Sequence, residues 1–357
     1  PSIPARYGEL DPPLAPALAE SLARRGVTRL WSHQAEGLAA IRRGEDLLIT
    51  TPTASGKSLL FQVPPLEEAI AGGPGRALYL FPLKALGQDQ RGKFVEWAND
   101  AGLDPADCDC EIYDGDTSAY RRAAIRAAPP RVLITNPDML HAGILAHWTL
   151  WAPYLADLKW VVLDELHTYR GIFGSHFHHV LARLLRLCRS LGARPQIIAS
   201  SATAEGADQF ARALTGRVFC WISESGAPRE GRHLLLFQPE VSPYSVALEL
   251  LSTFLEQGLK TIAFTKARRI TELLYTWLKR RDPALAKRVA NYRAGFLPEE
   301  RRKIEGDLFA GKLDGAISTS APGSSGSKGG RTVACSRMPR ATRPCLSATD
   351  PSMCDAR

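Results

Sequence analysis

The chain has 357 residues, 45% of them apolar and 23% charged, and a formal charge of +8. No run of 18 apolar residues occurs and the opening PSIPARYGELDPP lacks a charged-then-apolar leader pattern, which argues against a membrane span or secretion. Seven cysteines without regular spacing suit a reducing interior and hence a cytoplasmic protein, not a disulfide scaffold.

Residues 1–24 read as an N-terminal extension. Beyond them, Val/Ile/Leu-rich runs alternate with longer helical patterns. The runs are DLLIT (46–50), RALYLF (76–81), RVLIT (131–135), WVVLDE (160–165) and QIIAS (196–200). They lack polar alternation, as strands covered on both faces do. Helical stretches such as KSLLFQVPPLEEAIA and SHFHHVLARLLRLCRSLG lie between them. The alternation predicts an α/β fold with a parallel sheet over residues 25–225, helices on both faces.

Residues 222–232, rich in Gly, Pro and charge, read as a linker. A second strand–helix series follows, with strand candidates HLLLF (233–237), KTIAFT (260–265), RVANYRAG (288–295) and DGAIST (314–319). It predicts a partial second α/β lobe over 233–320. The pattern then stops. Residues 321–357 contain one Val and one Leu, three of the seven cysteines, and six Lys/Arg against two Asp/Glu, which is +4 of the total +8. Such a segment buries too little apolar surface to offset the entropy of ordering. It reads as a disordered basic tail or, preferably, the product of a reading-frame error. The net charge as a whole suits a polyanionic partner, because basic surfaces release counterions from nucleic-acid phosphates.

TPTASGKS (Thr51 to Ser58) follows DLLIT and opens a helical stretch. It departs from the G-x-x-x-x-G-K-[ST] pattern only at its first position, Thr51. Small residues there let backbone N–H groups face a phosphate at a helix N-terminus. Thr53, Ala54, Ser55 and Gly56 would form the cradle, Lys57 would reach the β- and γ-phosphates, and the Ser58 hydroxyl would hold Mg²⁺. In WVVLDELHTYRG an apolar strand runs into Asp164 and Glu165, 107 residues after Lys57. Phosphate-loop ATPases hold Mg²⁺ with an acid at a strand's C-terminal end, a role that fits Asp164. Glu165 would deprotonate the attacking water. ATP and Mg²⁺ are thus the expected cofactors.

TPTASGKS, DELH and SAT (201–203), in that order, resemble superfamily-2 helicases of the DEAD/DEAH-box type. LWSHQAEGL (30–38) is similar to the Q-motif, FPLKALGQDQ (81–90) to motif Ia, TNPDMLH (135–141) to motif Ib, TIAFTKARR (261–269) to motif IV and GAISTS (315–320) to the start of motif V. LDELHTYRGIFGSH and YRAGFLPEERR resemble a narrower group, the MrfA/YprA-type bacterial DNA-repair helicases. The resemblance covers about residues 25–320 and implies two RecA-like lobes, the second interrupted. It implies adenine recognition by Gln34. It further implies coupling of hydrolysis to movement by His167, Ser201 and Thr203, and contact with a DNA backbone by Lys84, Gln88, Thr135, Asn136 and Thr265. Phosphate contacts of this kind position a strand without reading its bases. An RNA helicase, or a non-catalytic fragment that binds ATP and nucleic acid, shares these core motifs. Helicases of this type also carry a Q-x-x-G-R-x-G-R-like motif VI, which does not occur in the sequence. ATP binding with weak hydrolysis is therefore expected of this polypeptide.

Other features read as structural. HFHH (176–179) lacks the further ligands that tetrahedral zinc needs. Cys108 and Cys110 read as loop cysteines, and Arg183, Arg186 and Arg189 as the solvated stripe of an amphipathic helix.

Overall fold

The computed structural model describes residues 2–319 other than 53–54, 83, 203–204, 230, 232–234, 236–238, 293–295 and 297, together with 331–334. The chain divides into two compact units, Pro1–His233 and Leu234–Arg357.

The first unit is built on seven parallel strands: β1 (Leu47–Ile49), β2 (Arg76–Leu80), β3 (Cys110–Ile112), β4 (Val132–Thr135), β5 (Leu158–Leu163), β6 (Gln196–Ser200) and β7 (Cys220–Ile222). Their order in the sheet is β3-β4-β2-β5-β6-β1-β7. Its α-helices are α1 (Pro16–Arg24) and α2 (Ser32–Arg42), ahead of β1, and α3 (Leu59–Ile70), α4 (Lys84–Asp100), α5 (Ala119–Ala127), α6 (Pro137–Met139), α7 (Trp148–Ala156), α8 (Gly171–Ser190) and α9 (Ala207–Thr215). Successive strand side chains point to opposite faces, and both faces are apolar. Leu48, Leu78, Leu80, Leu133, Val161, Leu163 and Ile197 enter one buried cluster with residues of α7, α8 and α9. Leu47, Ile49, Tyr79, Ile134, Val162 and Ile198 enter another with residues of α1, α2, α3 and α4.

All five long apolar runs form strands. The two strands that the pattern missed, β3 and β7, have three residues each and lie at the two sheet edges. Cys110 is therefore a buried strand residue, and Cys108 is buried just before it; the flanking Asp107 and Asp109 disguise both as loop. The first residues are not a loose extension. Leu18 and Leu22 of α1 are buried in the second cluster, Ile3 bridges Arg229, and Tyr7 bridges Trp31. The expected linker is likewise docked on this unit as far as Arg229.

Helix α3 contains Pro64 and Pro65. Proline has no N–H to offer the carbonyl four residues back, so the Phe61 carbonyl loses its helical donor. The buried Tyr79 hydroxyl donates to it instead. Tyr79→Phe strands that carbonyl and is expected to destabilise the first unit by about 1–3 kcal/mol, measurable as a lower urea midpoint with an unchanged slope.

The second unit holds β8 (Thr261–Phe264), β9 (Val289–Tyr292), β10 (Gly315–Ser318) and β11 (Arg331–Ala334), parallel in the order β11-β8-β10-β9. Its helices are α10 (Pro243–Glu256), α11 (Arg268–Arg281), α12 (Pro283–Ala286) and α13 (Pro298–Phe309). Leu251, Leu255, Leu274, Leu278, Val289 and Ile317 centre its core. Of the candidate strand HLLLF only Leu235 is described, and it is exposed; the rest lies outside the described residues. The structureless reading of 321–357 is corrected at one place, since Arg331–Ala334 pairs with β8. Ladder pairing uses main-chain groups, so a short strand needs little apolar side chain.

Candidate active site

Three loops meet where β1, β6 and β5 end. The loop after β1 carries the phosphate-binding pattern into α3. Gly56 has φ +72°, and a Cβ there would come within 2.6 Å of the Gln34 side-chain nitrogen, so backbone conformation and space both require glycine. Thr51, the departure from the pattern, is fully buried, and its hydroxyl shares a 2.6 Å hydrogen bond with Ser55. It therefore braces the loop from within. Lys57 Nζ donates to the Thr51 carbonyl at 2.9 Å and the Ser201 carbonyl at 3.3 Å. Ser58 precedes α3 without a side-chain capping bond. Thr53 and Ala54 lie outside the described residues.

Asp164 follows the last residue of β5, and its backbone N–H donates to the Leu80 carbonyl at 3.3 Å. The Ser200 hydroxyl, at the end of β6, donates to the Asp164 carboxylate. Lys57 and Asp164 thus meet through the adjacent residues Ser200 and Ser201. The sheet order accounts for this, because β6 lies between β1 and β5. In open parallel sheets, ligands bind beyond the carboxyl ends of the strands.

Glu165 adopts φ 51°, ψ 48°, the left-handed region, and is the only non-glycine residue with positive φ among the described residues. Such a conformation costs about 1–3 kcal/mol and clusters at functional sites. It is held by Thr168, whose N–H and hydroxyl both donate to the Glu165 carbonyl, at 2.9 and 2.8 Å. His167 Nδ1 lies 3.3 Å from Glu165 Oε2 in ion-pair range but without hydrogen-bond geometry.

Burial raises the pKa of Asp164, opposed by the Ser200 hydrogen bond and the Lys57 charge. Burial and then the Asp164 charge raise that of Glu165. Burial lowers that of Lys57, against the pull of both carboxylates. A raised carboxyl pKa stabilises the fold below the unfolded value, and that stability is lost as pH rises through the folded value. A lowered lysine pKa stabilises above the unfolded value and loses this as pH falls through the folded value. Both groups therefore oppose folding at neutral pH. Asp164→Asn keeps an acceptor for Ser200 and removes one buried charge. Its ligand-free melting temperature is expected to rise, by roughly 2–4 °C for about 1 kcal/mol in a unit of this size, with metal-dependent nucleotide binding weakened.

This donor set fits a magnesium nucleotide. Mg²⁺ is held by one or two protein carboxylates together with substrate phosphates, not by an all-protein cage. Ser58 and Asp164 could supply oxygens to such a metal, and Lys57 a countercharge to the phosphates.

Several expected site residues are placed differently. The Gln34 amide is already engaged: its oxygen accepts from Trp31 N–H at 3.0 Å and its nitrogen donates to the Gly56 carbonyl at 3.1 Å. It supports the phosphate loop directly. Thr135 and Thr265 are buried. The Thr135 hydroxyl donates to the Tyr113 carbonyl at 2.6 Å, and that of Thr265 bonds Thr271 Oγ1 at 2.7 Å. Both hydroxyls face inward because these threonines end or follow core strands, so neither is offered to a backbone phosphate. Asn136 caps the next helix through Met139 N–H at 2.9 Å. Gln88 is exposed, and Lys84 opens α4, its side chain lying outside the described residues. Thr203 also lies outside them. Arg183 is not simply solvated, since it donates to the Leu145 carbonyl at 3.0 Å. His178 binds the Leu214 carbonyl at 2.8 Å, in keeping with a packed helix face. His33 and Ser200 were not expected; HQ offered no signal beyond its glutamine, and Ser200 reads as a strand residue.

The comparisons accord with this geometry. The DEAD/DEAH box helicase family matches residues 31–210. The ATP-dependent helicase YprA of Bacillus subtilis, described as uncharacterized, is 38% identical over 84% of this chain and 41% of its own length. The ATP-dependent helicase HRQ1 of Saccharomyces cerevisiae is 36% identical over 90% of this chain and 31% of its own. The chain thus spans well under half the length of these relatives. A crystal structure of the DUF1998 helicase MrfA bound to DNA and AMPPNP aligns at TM-score 0.82 and 32% identity, over 94% of this chain and 52% of that one. The seven-stranded sheet is accordingly RecA-like. With a lysine loop and paired acids joined across one intervening strand, and half its length matched, the chain belongs to the DEAD/DEAH box helicase family.

Proposed function

We propose that this chain binds ATP with magnesium between Lys57–Ser58 and Asp164–Glu165, and that the protein it represents is an ATP-driven DNA helicase or translocase. One observation carries the nucleotide site: Lys57 and Asp164 converge on the adjacent residues Ser201 and Ser200. Lys57 would hold the β- and γ-phosphates, and Ser58 and Asp164 the metal. When bound, Mg²⁺ held by Ser58 and Asp164 would supply positive charge to offset that of the phosphates. Glu165 accepts that water's proton at its carboxylate, and its raised pKa brings it nearer working pH. His167, beside Glu165, and Ser201, whose carbonyl accepts from Lys57, are assigned the coupling role together with Thr203. Gln88 and Asn136, with Lys84, lie where β2 and β4 end, and these positions are proposed to meet the DNA backbone.

DNA as the partner is supported by the MrfA likeness, a structure bound to DNA. The likeness to an RNA-bound DEAD-box helicase, Mss116, is only 14% identical and supports the fold alone. The four described cysteines are free thiols, which supports a cytoplasmic setting, and no described helix is long and apolar enough to cross a membrane.

No Q-x-x-G-R-x-G-R stretch occurs in the 357 residues. Arginines of that kind raise phosphoryl-transfer rates by about 10³–10⁵ in other NTPases, so these residues alone are expected to bind ATP tightly and hydrolyse it slowly. ATP hydrolysis measured with single-stranded DNA, with single-stranded RNA and with neither tests the reading, with Lys57→Ala and Glu165→Ala as controls. Stimulation by DNA above RNA, lost in both variants, is expected. Equal rates in all three conditions, unaffected by the variants, would contradict it. Tight nucleotide binding without stimulated turnover would select the non-catalytic alternative.

A further inference from the structure

His33 is buried, 1% exposed, and uses both ring nitrogens. The Gly226 backbone N–H donates to Nδ1 at 3.0 Å, and Nε2 lies 2.9 Å from the Ser55 carbonyl in the phosphate loop. An amide N–H can only donate, so Nδ1 is the acceptor. The ring proton therefore sits on Nε2 and donates to Ser55. The Gly226 bond requires the neutral ring, and burial, with the Lys57 charge as a lesser cause, lowers the His33 pKa in that sense against the Ser55 bond.

The far end of this bridge is equally constrained. A Cβ on Gly226 would approach Ser32 Oγ to 2.4 Å and the Arg6 carbonyl to 2.5 Å. Arg6 N–H donates to the Gly226 carbonyl at 2.8 Å, and Ser32 N–H to the Arg6 carbonyl at 2.9 Å. Gly226 is thus seated between residues 3–8 and the start of α2. It belongs to the last stretch of the first unit, seven residues before the division at His233.

We infer that His33 is a positioning residue that ties the phosphate loop to the 224–229 segment, so that filling the nucleotide site tightens the end of the chain leading into the second unit. The inference rests on the nucleotide site proposed above. Such couplings typically amount to about 5–150-fold in an equilibrium.

Two substitutions separate the two bonds. His33→Gln reproduces the Nε2 donor toward Ser55 and loses the acceptor for Gly226. His33→Asn reproduces the Nδ1 acceptor and loses the donor. Hydrogen exchange at the Gly226 amide, measured in the intact chain with and without Mg²⁺–ADP, is expected to slow at least about fivefold on nucleotide binding in the unaltered protein. In His33→Gln the Gly226 amide exchanges fast in both conditions. In His33→Asn it stays slow but no longer responds to nucleotide. A response retained in both variants overturns the coupling. Nitrogen NMR of the histidine-labelled unaltered chain gives a readout independent of variant folding. A proton on Nε2, with an Nδ1 resonance that moves on nucleotide binding, is expected; a proton on Nδ1, or no movement, overturns the coupling. Titration with a fluorescent ADP analogue separates the two failures. Absence of nucleotide binding defeats the site itself and the coupling with it, whereas binding without a change at Gly226 defeats only the coupling.

Discussion

Replacing Glu165 with glutamine is expected to slow ATP hydrolysis by about 10²–10⁴-fold and to leave nucleotide affinity within a few-fold. The substitution removes proton-accepting capacity but keeps size and hydrogen bonding. The Glu165 side chain acts on Lys57 and Asp164 through its charge and makes no hydrogen bond to either in the contacts described. The strained backbone at Glu165 is fixed by Thr168 bonding its carbonyl, so the variant keeps that geometry. Single-turnover hydrolysis with protein in excess, paired with a nucleotide titration, measures both quantities. The same base sets a pH dependence. Because burial and Asp164 raise the Glu165 pKa above its ordinary 4.5, hydrolysis should fall as pH drops through that raised value, and the limb should vanish in Glu165→Gln. Unchanged turnover in the variant would remove Glu165 from the chemistry.

Lys57→Ala has the second large effect, a loss of roughly 10²-fold in nucleotide affinity, since removing one partner of a buried, charge-assisted contact costs about 2–5 kcal/mol. The lysine is half-buried against two carbonyls and near two carboxylates, which leaves its charge incompletely matched until phosphate arrives. The ligand-free variant should therefore fold at least nearly as stably as the parent. Equilibrium titration with a fluorescent ADP analogue, alongside thermal melts of both proteins, reads the two effects. Undiminished affinity in the folded variant would place the nucleotide elsewhere.

The long core strands were legible because both faces of each are apolar, and the lysine loop and paired acids because their residue types follow strands at fixed offsets. The meeting of the two motifs was legible only as chemistry. Their physical contact runs through β6, whose Ser200 and Ser201 supply a hydroxyl and a carbonyl, and a sheet order is not written in local sequence. Edge strands β3 and β7 were hidden by their length and by flanking charge. Thr135 and Thr265 resembled strand-contacting residues by position, yet each hydroxyl is consumed by an inward bond. The stretch around Gly226 looked like a linker by composition. Its docking depends on partners nearly the whole unit away in sequence, Ile3, Arg6 and His33, which no window of sequence brings together.

The most direct measurement replaces Mg²⁺ with paramagnetic Mn²⁺ and records the phosphorus couplings of bound ADP in the intact chain and in Asp164→Asn. A metal coordinated at once by nucleotide phosphate and by this protein should give a phosphorus-coupled, protein-bound Mn²⁺ signal in the parent. That signal should weaken in Asp164→Asn by at least about tenfold in Mn²⁺ affinity, the range for losing one charged ligand. A nucleotide-bound Mn²⁺ signal of equal strength in both proteins would mean that the acids ending β5 do not hold the metal, and would contradict the assignment of this joint as the ATP site.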